Sequence, residues 1–160
     1  LLWGDITPIN LLGGVLVSCL VIAVFPFPRV SVGGAFRPWA TTVLVARFLY
    51  DLCVASFQVA WIALRPAGSP ASAVIRVDLV SGSELRQTLT GELISLVPGS
   101  LLIELDSEGH RMWLHVLDGS TPGHVASARR KARLQEHRLL RAIGTDAEIA
   151  ESERRLREES

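Results

Sequence analysis

The stretch from Trp39 to Leu64 reads WATTVLVARFLYDLCVASFQVAWIAL and decides what kind of protein this is. It is long enough to cross a bilayer as a helix, and nearly all of it is apolar. Two charged side chains and one amide interrupt it, Arg47, Asp51 and Gln58, at spacings of four and seven residues. On a helix these spacings place them in one narrow stripe along an apolar cylinder. The sequence therefore predicts a membrane-associated helix with one polar side.

Two arrangements suit a helix with such a stripe. It either spans the membrane and turns the stripe toward protein, or lies in the interface with the stripe toward water. If the loop from Arg29 to Arg37 and the stretch from Arg65 to Arg76 are both cytoplasmic, the helix cannot cross once and must lie along the surface or re-enter. If it does span, one basic flank lies outside. Both arrangements are compatible with the sequence.

A first hydrophobic segment precedes this one, from about residue 9 to residue 27. No charged residue occurs between Asp5 and Arg29, and the length matches the hydrocarbon core of a bilayer. We expect a spanning helix that Pro26 ends; the absence of a small-residue cleavage site argues against a signal peptide. The chain opens without methionine, and residues 1–3 are interpreted as the end of an earlier hydrophobic helix. Residues 1–65 together form the predicted membrane anchor.

Composition and motifs exclude several classes of function. Hydrophobic residues make up 49% of the chain, aromatic residues only 6%, and the mean hydropathy is +0.35, which is typical of lipid-facing aliphatic segments. The formal net charge is +0, so no long-range field favours nucleic acid. Cys19 and Cys53 lack a C-x-x-C spacing, and the four histidines are scattered. Without a phosphate-binding loop or nucleophile motif, we expect no catalytic, cofactor or metal site and no enzyme activity.

A small α+β domain is predicted after a linker at residues 66–73, which is rich in Pro, Gly and Ser. The domain covers residues 74–144 in the order β-α-β-β-α, with helices on one face of the sheet. Its first helix begins with the capping-box pattern Ser81-Gly82-Ser83-Glu84. The first two strands are joined by a crossover, so they should run parallel, with the hairpin partner antiparallel. The predicted elements are strand 74–80, a helix ending near residue 97, strands 100–106 and 111–118, and helix 125–143.

The last segment, residues 145–160, is predicted to be a charged helical tail. Thr145 and Glu148 have the spacing of a capping box at its start. The segment has almost no apolar stripe, which favours a helix that is solvated on all sides or frayed.

The pair Arg47 and Asp51 is the most specific polar feature of the hydrophobic half. At a spacing of four in a helix, the two side chains neutralise each other and reduce the cost of charge in a low dielectric. With Gln58 they form either a titratable relay beside an ion path or a polar patch that docks onto another subunit. Docking is favoured, because an adjacent arginine keeps an aspartate ionised and so makes it a poor proton carrier.

Several segments resemble the E-type subunits of the multisubunit Mrp (Mnh) cation/proton antiporters in order and spacing. They are FLYDL at 48–52, LRP at 64–66, IRV at 75–77, LISLVPGSL at 93–101 and WLHVLD at 113–118. The resemblance covers residues 1–143. The chain departs from the family pattern at Val97, where threonine is usual, and at Asp51, where glutamate is commoner.

The resemblance implies an accessory subunit of a complex that exchanges cytoplasmic Na⁺ for H⁺. Its expected partners are the other hydrophobic subunits and the lipid bilayer, with no nucleic acid and no small-molecule substrate of its own. It implies a multi-pass protein of the bacterial cell membrane whose C-terminal domain is cytoplasmic. The alternative function is a freestanding membrane-anchored module that binds or recruits a soluble partner, and a single-chain channel would need more polar lining than this sequence has.

Overall fold

A computed structural model describes residues 7–24, 33–64 and 71–158. The chain forms two compact units, residues 1–31 and residues 32–160. The helices are α1 (Pro8–Val24), α2 (Pro38–Leu64), α3 (Glu84–Leu96), α4 (Pro122–Ile143) and α5 (Asp146–Glu158), and the strands are β1 (Ala73–Asp78), β2 (Ser100–Asp106) and β3 (Arg111–Val116).

Helix α1 has 17 residues and no buried side chain. Its sequence PINLLGGVLVSCLVIAV contains no charge, so the whole surface of this helix is apolar or weakly polar. The predicted end of this helix near residue 27 lies outside the described residues. By length and composition, α2 is long and apolar enough to cross a membrane, with a mean hydropathy of 1.6, and α1 is a shorter apolar helix.

The sheet has the strand order β1-β3-β2, and both outer strands run antiparallel to β3. Strands β1 and β2 are therefore parallel to each other, as the crossover predicts, but β3 lies between them. The β2–β3 hairpin turns at Gly109 and His110, and His110 has a positive φ of 51°. In that turn Asp106 accepts a hydrogen bond from the Gly109 amide at 2.8 Å.

One face of this sheet carries the core of the domain. Ile75, Val77, Met112 and Leu114 are at most 2% exposed and pack with α3 and α4. Side chains of β3 alternate between the two faces, since Leu114 and Val116 are buried while His115 is exposed. The other face of the sheet is open.

Helix α2 packs on the domain instead of standing apart from it. Leu44 is 7% exposed and belongs to a second apolar cluster with Leu139 and Ala142 of α4. Burying one leucine side chain of this kind stabilises a contact by about 1.5–3 kcal/mol. Just before α2, the Arg37 amide donates a hydrogen bond to the Ala142 carbonyl at 2.9 Å. The N-terminal half of α2 is thus held against the C-terminal half of α4.

The interpretation of the last segment as a fully solvated tail is wrong. Glu148 of α5 accepts hydrogen bonds from Arg86 at 3.0 Å and from the Ser81 hydroxyl at 2.7 Å. Ser152 is 3% exposed and bonds to His137 of α4 at 2.8 Å. The predicted capping box is present, because the Thr145 amide donates to Glu148 at 2.9 Å. Polar contacts dock α5, so an analysis of apolar periodicity could not detect them.

The capping box predicted at the start of α3 is also wrong. Ser83 occupies the N-cap position, but its side chain makes no capping hydrogen bond. The Ser81 hydroxyl instead bonds to Glu148, to the Ser83 amide at 3.2 Å and to Arg86 at 3.1 Å. The serine that looked like a local cap therefore joins α3 to α5.

The close approach of the chain before α2 to the end of α4 generates a test. A Cβ added to Gly34 would collide with the carbonyl oxygen of Ile143 and with the backbone of Gly144. Backbone atoms cannot rotate away, so Gly34→Ala should destabilise the α2–α4 contact by about 1–3 kcal/mol. Thermal unfolding of the full chain in detergent, followed by circular dichroism, measures this.

Gly33→Ala is the matched control, because a Cβ on Gly33 would meet no atom within 4 Å. Equal melting temperatures for the two variants would contradict the described packing.

Candidate functional site

Asp51 lies between two arginines, one from its own helix and one from the domain. Arg138 of α4 donates a hydrogen bond from Nη1 to Oδ2 of Asp51 at 2.7 Å. Nε of Arg47 lies 3.5 Å from Oδ1 of the same carboxylate. The side chains of Asp51 and Arg138 are 29% and 24% exposed, whereas Arg47 is 52% exposed. The shorter and less exposed contact is therefore the one between α2 and α4.

The position of Arg138 is set by the next residue of α4, Leu139, which belongs to the apolar cluster between α2 and α4. Leu139 packs against Leu44, and this contact fixes the adjacent face of α4 toward α2. Gln135 accepts a second hydrogen bond from Arg138 at 3.1 Å, which holds the guanidinium in place. The 2.7 Å bond from Arg138 to Asp51 is charge-assisted, and such bonds are the stronger class of hydrogen bond. The site is thus an ion pair supported by a small apolar cluster.

The sequence pointed to Arg47 as the partner of Asp51 and missed Arg138. Helix α4 carries six basic residues, and nothing in their spacing distinguishes the one that reaches α2. The pair Arg47 and Asp51 is present as predicted. Gln58 lies further along the same side of α2 and makes no hydrogen bond to any described residue.

A cleft of about 580 Å³ opens beside the ion pair. Helix α2 from Arg47 to Ile62 forms one wall, and Gln58 lines it. The opposite wall consists of the α3–β2 turn, the end of β3 and α4 from His124 to Arg138. The contact between α2 and the domain is therefore closed at the start of α2 and open toward its end.

Both ends of α2 are connected to the same domain. At its start, Arg37 donates to the Gly144 carbonyl at 3.0 Å and to the Asp146 carboxylate at 2.6 Å. After its end, Ala71 accepts a hydrogen bond from the Gly119 amide at 2.8 Å. These contacts all lie within the compact unit of residues 32–160.

A second polar cluster joins α5, α4 and the loop after β1. Burial raises the pKa of Glu136, although the carboxylate accepts hydrogen bonds from the Val80 and Ser81 amides at 2.7 and 3.0 Å. For Glu148, burial also favours the neutral form, but hydrogen bonds from Thr145, Ser81 and Arg86 outweigh it and lower the pKa. The cluster holds α5 against the domain, and its polar groups bond to one another.

The histidines and carboxylates do not assemble into a metal site in the described ranges. His124 lies 2.9 Å from Asp118, and the Ser120 hydroxyl is the main cause of the lowered pKa of Asp118. Burial lowers the pKa of His137. Neither histidine is joined by the further ligands that a bound cation needs.

The profile of the MNHE family, described as a Na⁺/H⁺ ion antiporter subunit, matches residues 1–142. This chain belongs to that family. A curated relative from Alkalihalophilus pseudofirmus, the E-type subunit of a Na⁺/H⁺ antiporter, is 27% identical over 82 residues, and the aligned part covers 51% of this chain and 52% of the relative. The match thus spans about half the length of that relative.

The MNHE-family chain is also similar to a chain in the solved structure of the Mrp complex from Dietzia sp. DQ12-45-1b. The two are 23% identical with a TM-score of 0.48, and the match covers 67% of this chain and 98% of the other.

The geometry around Asp51 predicts an energetic coupling between α2 and α4. In a double-mutant cycle with Asp51→Asn and Arg138→Gln, we expect a coupling of about 1–2 kcal/mol, because a short charge-assisted bond is lost once and the second substitution then costs less. Thermal unfolding in detergent of the unsubstituted chain, the two single variants and the double variant measures this coupling.

The matched cycle pairs Asp51→Asn with Arg47→Gln, whose contact is longer and more exposed, and should give less than about 0.5 kcal/mol. A larger coupling for Arg47 than for Arg138 would contradict the assignment.

Proposed function

We propose that this chain is an accessory subunit of a multisubunit antiporter in the bacterial cell membrane. The whole complex would exchange cytoplasmic Na⁺ for H⁺, and this subunit would contribute binding surfaces instead of part of the ion path. The main support for this proposal is that Asp51 forms its ion pairs with arginines of the same chain. It is the one carboxylate on the described parts of the two apolar helices, and both of its oxygens already face guanidinium groups.

An ion path through this subunit would need polar groups that are available to a cation. A cation at Asp51 would first have to displace Arg138, which bonds to it at 2.7 Å. No group of three or more possible metal-ligating side chains occurs in residues 7–24, 33–64 and 71–158. These facts favour pumping by partner subunits and a supporting role for this chain.

The hydrogen bonds that connect both ends of α2 to the domain favour an interfacial position for this helix. If α2 crossed the membrane, Leu64 would lie on the side opposite to Arg37 and the domain. The chain has seven residue steps from Leu64 to Ala71, which again contacts the domain. Seven extended residues reach at most about 25 Å, which is less than a hydrocarbon core of about 30 Å. We infer that α2 lies along the membrane surface and does not span.

The surface of α2 supports the same position. Its charged residues, Arg47 and Asp51, are on the side that meets the domain. Its outward side is uncharged and widely exposed, including Trp39 at 80%, Phe57 at 79% and Leu64 at 80%. A helix with one apolar side and one polar side is suited to the boundary between headgroups and acyl chains. The domain would then lie directly on the membrane surface.

The basic residues favour the cytoplasmic side for the domain. Arg29 and Arg37 flank the loop before α2, and α4 carries six basic residues. Positive residues near membrane segments are enriched on the cytoplasmic side. Helix α1, which has no charge and 17 residues, is the proposed spanning segment.

The proposal predicts that this chain is needed to assemble the complex and not for each exchange event. Tagged at its C-terminus in its native membrane, the chain should co-purify with several very hydrophobic subunits in fixed proportions. Asp51→Asn should reduce the amount of assembled complex and Na⁺-driven H⁺ exchange in everted vesicles by the same factor. The measurements are quantification of the subunits by mass spectrometry and exchange by fluorescence quenching.

Arg47→Gln is the control and should leave both quantities near their original values. A normal amount of complex with exchange abolished by Asp51→Asn would show a relay role and refute the accessory role. Recovery of the chain as a stable monomer from native membranes would instead favour the freestanding binding module.

A further inference from the structure

The cleft between α2 and α4 has an excess of positive charge beside an apolar wall. Arg47, Lys131 and Arg138 line it, and the lining carboxylates are Asp51 and Asp118. Asp51 is shared by the two arginines, and Asp118 is bonded to His124 and Ser120. The cleft lining therefore carries more cationic than anionic groups.

Two groups at this cleft have donors without a partner. Lys131 is exposed and forms no ion pair in the described part of the chain. Gln135 is 6% exposed, and its Nε2 atom is buried without a hydrogen-bond partner among the described residues. A buried donor without a partner costs free energy unless a ligand or water satisfies it. Both groups favour an occupant that offers oxygen acceptors.

The apolar part of the lining favours an occupant with a hydrocarbon portion. On α2, Val54 and Ile62 face the cleft, and Val97 and Leu117 line the domain side. The ring of Tyr50 lies 4.9 Å from the guanidinium carbon of Arg47, which holds that cation at the α2 wall. An inorganic anion would leave this apolar lining in contact with water. A headgroup with attached acyl chains fits both parts.

We propose that the cleft binds one anionic phospholipid, with its phosphate at Lys131, Arg47 and Gln135 and its acyl chains against the apolar lining of the cleft. The proposal rests on the interfacial position of α2 proposed above, because only there does the cleft open at the level of the headgroups. Basic side chains near a membrane surface attract anionic lipid at close range, so a net charge of zero for the chain does not oppose this.

The test is native mass spectrometry of the full chain in a neutral detergent, titrated with dioleoyl phosphatidylglycerol or dioleoyl phosphatidylcholine. We expect one phosphatidylglycerol adduct that saturates well before any phosphatidylcholine adduct. Lys131→Gln should weaken its apparent affinity about fivefold, as expected for one lost cation near a headgroup. Arg130→Gln removes the same charge from an adjacent exposed residue that does not line the cleft and should change the affinity less than about twofold.

Three results would overturn the proposal. Equal retention of the two lipids would show no headgroup recognition, and equal loss from Lys131→Gln and Arg130→Gln would show diffuse attraction to α4. Displacement of the lipid by millimolar inorganic phosphate would show that the cleft binds a free anion. The co-purification experiment is independent of these results, so the lipid site can fail while the accessory role stands, and the reverse.

Discussion

The contact between α2 and α4 joins a helix that is apolar on its outward side to a helix that carries six basic residues. Leu44 and Leu139 supply its apolar part, and Asp51 and Arg138 supply a 2.7 Å ion pair. Because these residues are spread along α2 from its first turns to its middle, α2 cannot leave the domain without breaking them. The position of α2 is therefore set by the domain to which it is attached.

This attachment explains the distribution of polar groups over the chain. A polar stripe facing lipid would be costly, and in this fold the stripe faces α4 and the cleft. The outward side of α2 then needs no charge, and its large side chains are exposed to whatever surrounds the domain. On the described parts of the two apolar helices, Asp51 is the one carboxylate, and it is already paired with guanidinium groups.

Much of this fold follows from local patterns, and the contacts between distant segments do not. The predicted order β-α-β-β-α is observed, and the predicted end of α3 and bounds of α4 agree with the structure to within a few residues. Arg138 was missed because six basic residues on α4 look alike until the helix is docked. Helix α5 looked like a solvated tail because Glu148 and Ser152 dock it by polar contacts that leave no apolar stripe. The family resemblance predicted the class of protein, and the profile match confirms it.

The depth of α2 in a bilayer distinguishes an interfacial helix from a spanning one. Ala46, Cys53 and Ala60 lie on the outward side of α2 at seven-residue intervals, and Cys53 is a free, exposed cysteine. In a chain with Cys19→Ser, nitroxide labels placed one at a time at Cys53, or at Ala46→Cys and Ala60→Cys after Cys53→Ser, report depth by paramagnetic relaxation in vesicles. An interfacial α2 predicts the same shallow depth for all three labels. A spanning helix would instead change the depth by about 10 Å from each label to the next, and that result would contradict an interfacial position of α2.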